Sequence, residues 1–264
     1  MFSALALVLS AGALAAPGAL HEPYRVVVEP TGNLLVADGG SGRIVRVDPH
    51  TGGQTVYARG LGRVYDLAYG PDRALYAAVG SRVVRFSSAG DARVVARGLR
   101  SPTGLAVAPK RVVYVVESDG DRVIRIGRGG ARRVIAASGL DQPIGIALAG
   151  GGIYVSDSHH GRVVRILARR KLQPVVRGLA LPAALSPGPD GSLLIVDHVR
   201  HDQPGKILQR NRDGSVDTLS SGAITALTSA GVGSDGTLYA TAFQSPFVGR
   251  VDADGRLRPL GVAP

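Results

Sequence analysis

Arg43-Ile44-Val45-Arg46-Val47-Asp48 is the stretch that decides the fold, because the chain returns to it at intervals of about forty residues. The copies are Arg82-Val83-Val84-Arg85-Phe86, Arg122-Val123-Ile124-Arg125-Ile126, Arg162-Val163-Val164-Arg165-Ile166, and then the looser Lys206-Ile207-Leu208-Gln209-Arg210 and Arg250-Val251-Asp252. A unit of that length cannot bury its own apolar face, so it must stack on its neighbours as a solenoid, a propeller or an array.

Working outward from the block, each unit holds four short strand patterns. In the third unit these are residues 104–108, 112–116, 122–126 and 133–136, separated by Pro109-Lys110-Arg111, by Glu117 to Asp121 and by Gly127 to Gly130. Pro71-Asp72, Pro189-Asp190-Gly191 and Asp235-Gly236 mark the same first turn elsewhere. Second strands line up at 34–36, 75–77, 113–115, 153–155, 193–195 and 238–240. The expectation is an all-β chain, a six-bladed β-propeller of four-stranded blades, forming one domain over residues 24–264. The first blade begins with its own inner strand near Arg25 and the last ends with its own outer strand near Leu257, so no strand is shared across the ring closure. The seam is then left to side-chain packing, with residues 16–23 able to supply a closing strand.

Composition narrows the function classes. The chain has 264 residues, 45% of them apolar, with 37 glycines, 16 prolines, no cysteine and no tryptophan, which excludes a disulfide frame, a thiolate metal site and a WD-type blade. The formal charge of +11 is carried by arginine, since lysine occurs only at 110, 171 and 206. These arginines are spaced with the repeat and lack interleaved aromatics for base stacking, so nucleic acid is not the expected partner. Residues 1–16 include an apolar run from Leu5 to Ala16 that is too short to span a bilayer and closes on Ala13-Leu14-Ala15. They read as a signal peptide, which places the mature chain outside the cell, in the periplasm or in the cell envelope, with no membrane span and as a monomer.

The second-strand ends carry Asp38, Val79, Glu117, Asp157, Asp197 and Ala242. Three of the four acids stand five residues before an arginine (Asp38 and Arg43, Glu117 and Arg122, Asp157 and Arg162), and Asp197 precedes Lys206. The simplest reading is a structural ion pair; the functional one is a ring of acids and bases around the channel mouth. Blades two and six lack the acid, leaving Arg82 and Arg250 without a local partner. Candidate ligand-binding residues are therefore Arg82, Arg250, Asp38, Glu117, Asp157 and Asp197. The same rim is expected to be polarised, with Arg59, Arg63, Arg82, Arg97 and Arg100 on one side and Glu117, Asp119, Asp121, Asp141, Asp157, Asp197 and Asp202 on the other, which suits a small polar or anionic ligand or a charged protein partner. His159, His160, His198 and His201 fall in two neighbouring rim loops and are the candidate ligands of a divalent metal, the one cofactor the sequence suggests.

The pattern Pro-x-Gly-Leu/Ile-Ala, as in Pro102-Thr103-Gly104-Leu105-Ala106 and Pro143-Ile144-Gly145-Ile146-Ala147, resembles the NHL-repeat family and its gluconolactonase/regucalcin-like, strictosidine synthase-like and streptogramin-lyase-like relatives. That resemblance covers residues 25–260 and implies the propeller, but it serves enzymes and scaffolds alike. The gluconolactonase-type enzymes imply a metal held by a first-blade Glu, by Asn residues opening later inner strands and by an Asp. Here the Asn positions are Thr103, Ile144 and Ala183, and the only first-blade acid available is Glu29, at a turn where exposure to solvent is expected. The leading expectation is thus a ligand- or protein-binding module acting through its rim loops, with a metal-assisted, lactonase-like hydrolase or a lyase as the alternative.

Overall fold

A computed structural model describes residues 19–87, 91–198, 203–243, 245 and 247–261. The expected signal peptide, His201 and Asp202 lie outside these residues. Among the described residues, twenty-four strands form six separate four-stranded antiparallel sheets, each built from four consecutive strands. The inner strands are Pro23–Val28, Val64–Tyr69, Pro102–Ala108, Pro143–Ala149, Pro182–Pro187 and Leu227–Val232, and each packs on the inner strands of the blades before and after it. They enclose the central channel of a six-bladed β-propeller.

Three of the second strands, Leu34–Asp38, Leu75–Val79 and Leu193–Asp197, are buried throughout. Each is covered on both faces by neighbouring blades, which is why these strands are continuous apolar runs instead of alternating ones. Apolar cores lie between successive blades; one joins Leu35, Ile44, Leu67 and Phe86 of blades one and two, and another joins Val26, Leu34, Val45 and Tyr239 across the ring closure.

The repeated block acquires two structural jobs. Its first arginine points to the upper rim, where blades are linked: Arg43 bonds Asp38 at 2.7 Å, Arg122 bonds Glu117 at 2.5 Å and Arg162 bonds Asp157 at 2.7 Å. Its second arginine points to the lower rim: Arg46 clasps Glu29 through two hydrogen bonds of 2.6 and 2.8 Å, and Arg85 holds Asp72 at 2.9 Å. Glu29 is therefore buried and paired, contrary to the solvent-facing turn expected of it, and it also accepts a 2.8 Å hydrogen bond from the Tyr69 hydroxyl. Burial first, and the Glu29 carboxylate next, push the Tyr69 phenol far above its ordinary value, so it remains a donor.

Arg250 belongs to the second of these positions. Its Cα pairs with Tyr239, as Arg85 pairs with Tyr76 and Arg165 with Tyr154, so it lies toward the lower rim. The sequence alignment, which put Arg250 beside Arg82, was three residues out of register in blade six, where only half of the block survives.

Among the described residues no strand is shared at the closure, as the repeat spacing indicates. The seam is more than side-chain packing, however: the Thr228 hydroxyl donates to the Pro23 carbonyl at 2.8 Å, and the Val26 N–H donates to the Ser229 hydroxyl at 3.3 Å. Residues 19–22, the described part of the segment before Pro23, add no strand. Leu20 packs into the seam core, and the His21 N–H bonds Asp38.

Candidate functional site at the channel mouth

Inner strands sit at the edge of each sheet, so half of their peptide groups lack a ladder partner. The fold satisfies several of their carbonyls from the preceding blade. Ser156 donates to the Ala183 carbonyl at 2.6 Å, Thr103 to the Ile144 carbonyl at 3.0 Å and Ser186 to the Ala230 carbonyl at 2.6 Å. Such close approach needs a small residue at the third position of the inner strand where the blades meet most tightly. A Cβ on Gly104 would come within 2.5 Å of the Ile144 carbonyl oxygen, and one on Gly145 would collide with the Ala183 oxygen. This is the physical reason for the Pro-x-Gly pattern.

Followed around the ring, that position reads Arg25, Asp66, Gly104, Gly145, Ala184 and Ser229. Four blades supply a small residue, and the first two supply an ion pair. Arg25 Nε lies 3.0 Å from Asp66 Oδ1, with the two side chains 8% and 7% exposed, and Arg25 Nη1 crosses the channel to the Leu185 carbonyl at 2.9 Å. Asp66 accepts the N–H of Leu105 at 2.7 Å and that of Leu67 at 2.9 Å. Burial pushes the Asp66 carboxyl above the usual carboxylate range, against the opposing pull of Arg25 and of the two N–H groups. The pair acts as a bolt between an upper and a lower cavity of the channel; Arg25 lines both, and Asp66 lines the upper one.

The upper cavity encloses about 410 Å³. Its wall comes from the position one residue earlier on each inner strand: Tyr24, Tyr65, Thr103, Ile144, Ala183 and Thr228. Phe243 and His198, which follow the second strands of blades six and five, complete it. Tyr24 lies 6.2 Å from Tyr65 and 5.9 Å from Phe243 between ring centroids, so aromatic surface is concentrated on one side of the mouth and aliphatic surface on the other. Arg63 lies over the Tyr24 ring at 5.8 Å and pairs with Glu22 at 2.9 Å. Burial raises the Tyr24 phenol, with Arg63 opposing it, so Tyr24 presents a protonated hydroxyl.

The sequence-derived candidates occupy other positions. Asp38, Glu117, Asp157 and Asp197 are buried, and each accepts a backbone N–H from the segment leading into its own blade: His21, Arg100, Asp141, and for Asp197 both Ala180 and Leu181. They tie the interblade links down instead of facing the channel. Lys206 is the cross-strand neighbour of Asp197 but makes no ion pair with it. Arg82 is not without a partner: it donates to the Leu61 carbonyl at 3.3 Å, as Arg43 does to Ala19 and Arg162 to Gly139. The expected rim polarity omitted Glu22, which sits beside Arg63, and counted carboxylates that are buried.

Nor are the histidines gathered. His159 faces Asp141 at 3.2 Å, His160 faces Asp157 at 3.0 Å, and among the described histidines only His198 reaches the cavity. Among the described residues no group of three His, Asp or Glu side chains converges as metal ligands. His198 Nδ1 lies 2.8 Å from the Leu227 carbonyl, which can only accept, so Nδ1 carries a proton and Nε2 is the basic nitrogen of the neutral ring.

Fold and repeat together define the class: an all-β, six-bladed propeller with an NHL repeat, the NHL-repeat family model matching residues 140–166 in blade four. Within that class the chain is similar in structure to a virginiamycin B lyase from Staphylococcus aureus, solved as a catalytically inactive variant with quinupristin, at 16% identity over 93% of this chain and 87% of that one, TM-score 0.69. It is similar to a gluconolactonase from Xanthomonas campestris at 16% identity, over 87% of this chain and 86% of that one, TM-score 0.69. It is also similar to a chain of a nidogen/laminin complex at 21% identity, over 84% of this chain and 89% of that one, TM-score 0.70. No curated protein matches in sequence.

Proposed function

We propose that the protein is a binding propeller that takes a small molecule in the upper channel cavity, with a flat apolar body against Tyr24, Tyr65 and Phe243 and a polar end over the Arg25–Asp66 bolt. The observation that carries this reading is the replacement of the small third-position residue by an ion pair in two adjacent blades. It closes the channel beneath an apolar cavity of about 410 Å³, within the usual size range of ligand sites. A charged floor that is already neutral as a pair favours a dipolar or hydrogen-bonding group over a bare ion. Export follows from the apolar run in residues 1–16, and the mature chain would begin near Ala16.

A second reading, a hydrolase or lyase, is favoured by one observation, the placement of His198 in the cavity wall with its basic Nε2 defined by the Leu227 bond. One experiment addresses both. Ligand-observed NMR of small aromatic amides, alcohols and lactones against the wild type should show binding that is lost on Ala183→Phe, which fills the cavity while leaving Arg25 and Asp66 in the sequence. Equal binding by Ala183→Phe contradicts the site. Conversion of a bound compound over time, abolished by His198→Gln, would establish the enzyme reading; binding without conversion supports the module.

A further inference from the structure

Blades three and four carry a one-sided charge on their lower face. Their lower turns hold Lys110, Arg111, Arg128, Arg169, Arg170 and Lys171 and no carboxylate, whereas the corresponding turns of blades five and six hold Asp190, Asp213, Asp235, Asp252 and Asp254. On the blade-two side, Asp72 is already engaged by Arg85 at 2.9 Å and Arg111 at 3.4 Å.

Two further features show that this charge is held against local preference. The turns Pro109-Lys110-Arg111 and Ala168-Arg169-Arg170 place two successive basic residues at positive φ, 61° and 59° in the first and 57° and 62° in the second. Side chains with a Cβ resist that conformation, and the first–second turn of blade four meets the same need with Gly150 and Gly151. Arg125 and Arg133 stand directly opposite each other on paired strands, where like charges repel. No ion pair relieves Arg125, Arg133, Arg169 or Arg170 among the described residues.

These four arginines line a groove of about 450 Å³ between the two blades, whose floor is Tyr114, Ile135, Ile153 and Ile166, with Leu167 exposed at its lip. A concave apolar floor with cationic walls differs from a membrane-docking surface, which projects its apolar groups, and a single tyrosine offers no run of stacking platforms for bases. We infer that this groove docks an acidic peptide segment of a partner protein, its aliphatic side chains on the isoleucine floor and its carboxylates forked by the arginines. The guanidinium suits this role because it binds a carboxylate with two parallel N–H groups.

The test uses the whole chain and a fluorescein-labelled peptide of repeated Glu-Glu-Leu, followed by fluorescence anisotropy at low and physiological ionic strength. The Arg169→Gly/Arg170→Gly variant suits the turn geometry and should melt at the same temperature or higher. It should nevertheless bind about tenfold or more weakly, and Arg133→Gln, on the surface, should weaken binding in the same direction. Undiminished affinity in both variants overturns the assignment, as does equal binding of the Gln-Gln-Leu peptide. If duplex DNA or phosphatidylglycerol vesicles bind with the same sensitivity to the variants while the peptide does not, the groove is a site for that polyanion and the peptide assignment fails.

Discussion

A buried arginine and a buried aspartate at neighbouring positions of the channel wall are interdependent, and that interdependence is measurable. Removing the guanidinium by Arg25→Met leaves the Asp66 carboxylate in a dry site with only two N–H partners, at an expected cost of about 3–5 kcal/mol of folding stability. The pH dependence has a definite sign. Asp66 has a folded pKa above its unfolded value, so the folded state holds the proton more tightly, and the site's contribution is present below the unfolded carboxylate pKa and lost as pH rises through the folded one. Arg25→Met should raise that folded pKa further. Urea unfolding should therefore find this variant closer to wild type at about pH 5 than at about pH 8, with Asp66→Asn in the same background recovering most of the loss. A pH-independent deficit would mean that Arg25 acts by packing alone.

At the scale of the element, the lower turns carry their own acids. Asp190, Asp213 and Asp235 each accept the backbone N–H two residues on, at 3.0, 2.9 and 3.0 Å, in Asp-x-Ser/Thr turns that join strands of blades five and six. For Asp213 and Asp235 the hydroxyl two residues on, and then the same N–H, hold the carboxyl below the usual aspartate range, and the Asp190 carboxyl is lowered as well. A depressed folded pKa gives stability that is present above the unfolded value and lost as pH falls through the folded one, the opposite sign to Asp66. The melting temperature of the wild type should drop between about pH 5 and about pH 3. The triple Asp→Asn variant should show a shallower decline; an unchanged slope would remove these turns from the account. Strand positions were legible in the sequence because turn residues and apolar runs recur with the blade. Register failed only where the block decays, at Arg250, since arginine occupies both of the block's columns and half a block cannot say which one it is. The acid column was legible too, but not its purpose: nothing local reveals that Asp38 or Asp157 bonds the N–H of an incoming interblade segment.

Across the whole molecule, the ring sets the site. Arg25 and Asp66 are departures from the glycine column of blades three and four, a signal present in the sequence yet unanchored there, because blades one and two lack the Pro-x-Gly frame that would align them. Phe243 and His198 enter the cavity only through curvature that no linear spacing records. The closure without a shared strand leaves the seam beside the site, where Thr228 contributes both to the cavity wall and to the bond with Pro23. The central claim is that ligand binds above the bolt. Fluorine NMR of protein carrying meta-fluorotyrosine, with resonances assigned by single Tyr→Phe changes, tests it directly. On titration with the best-binding small molecule, the signals of Tyr24 and Tyr65 should shift together while those of Tyr76, Tyr154 and Tyr239 on the second strands stay in place. Shifts confined to the second-strand tyrosines, with Tyr24 and Tyr65 unmoved at saturation, would contradict it.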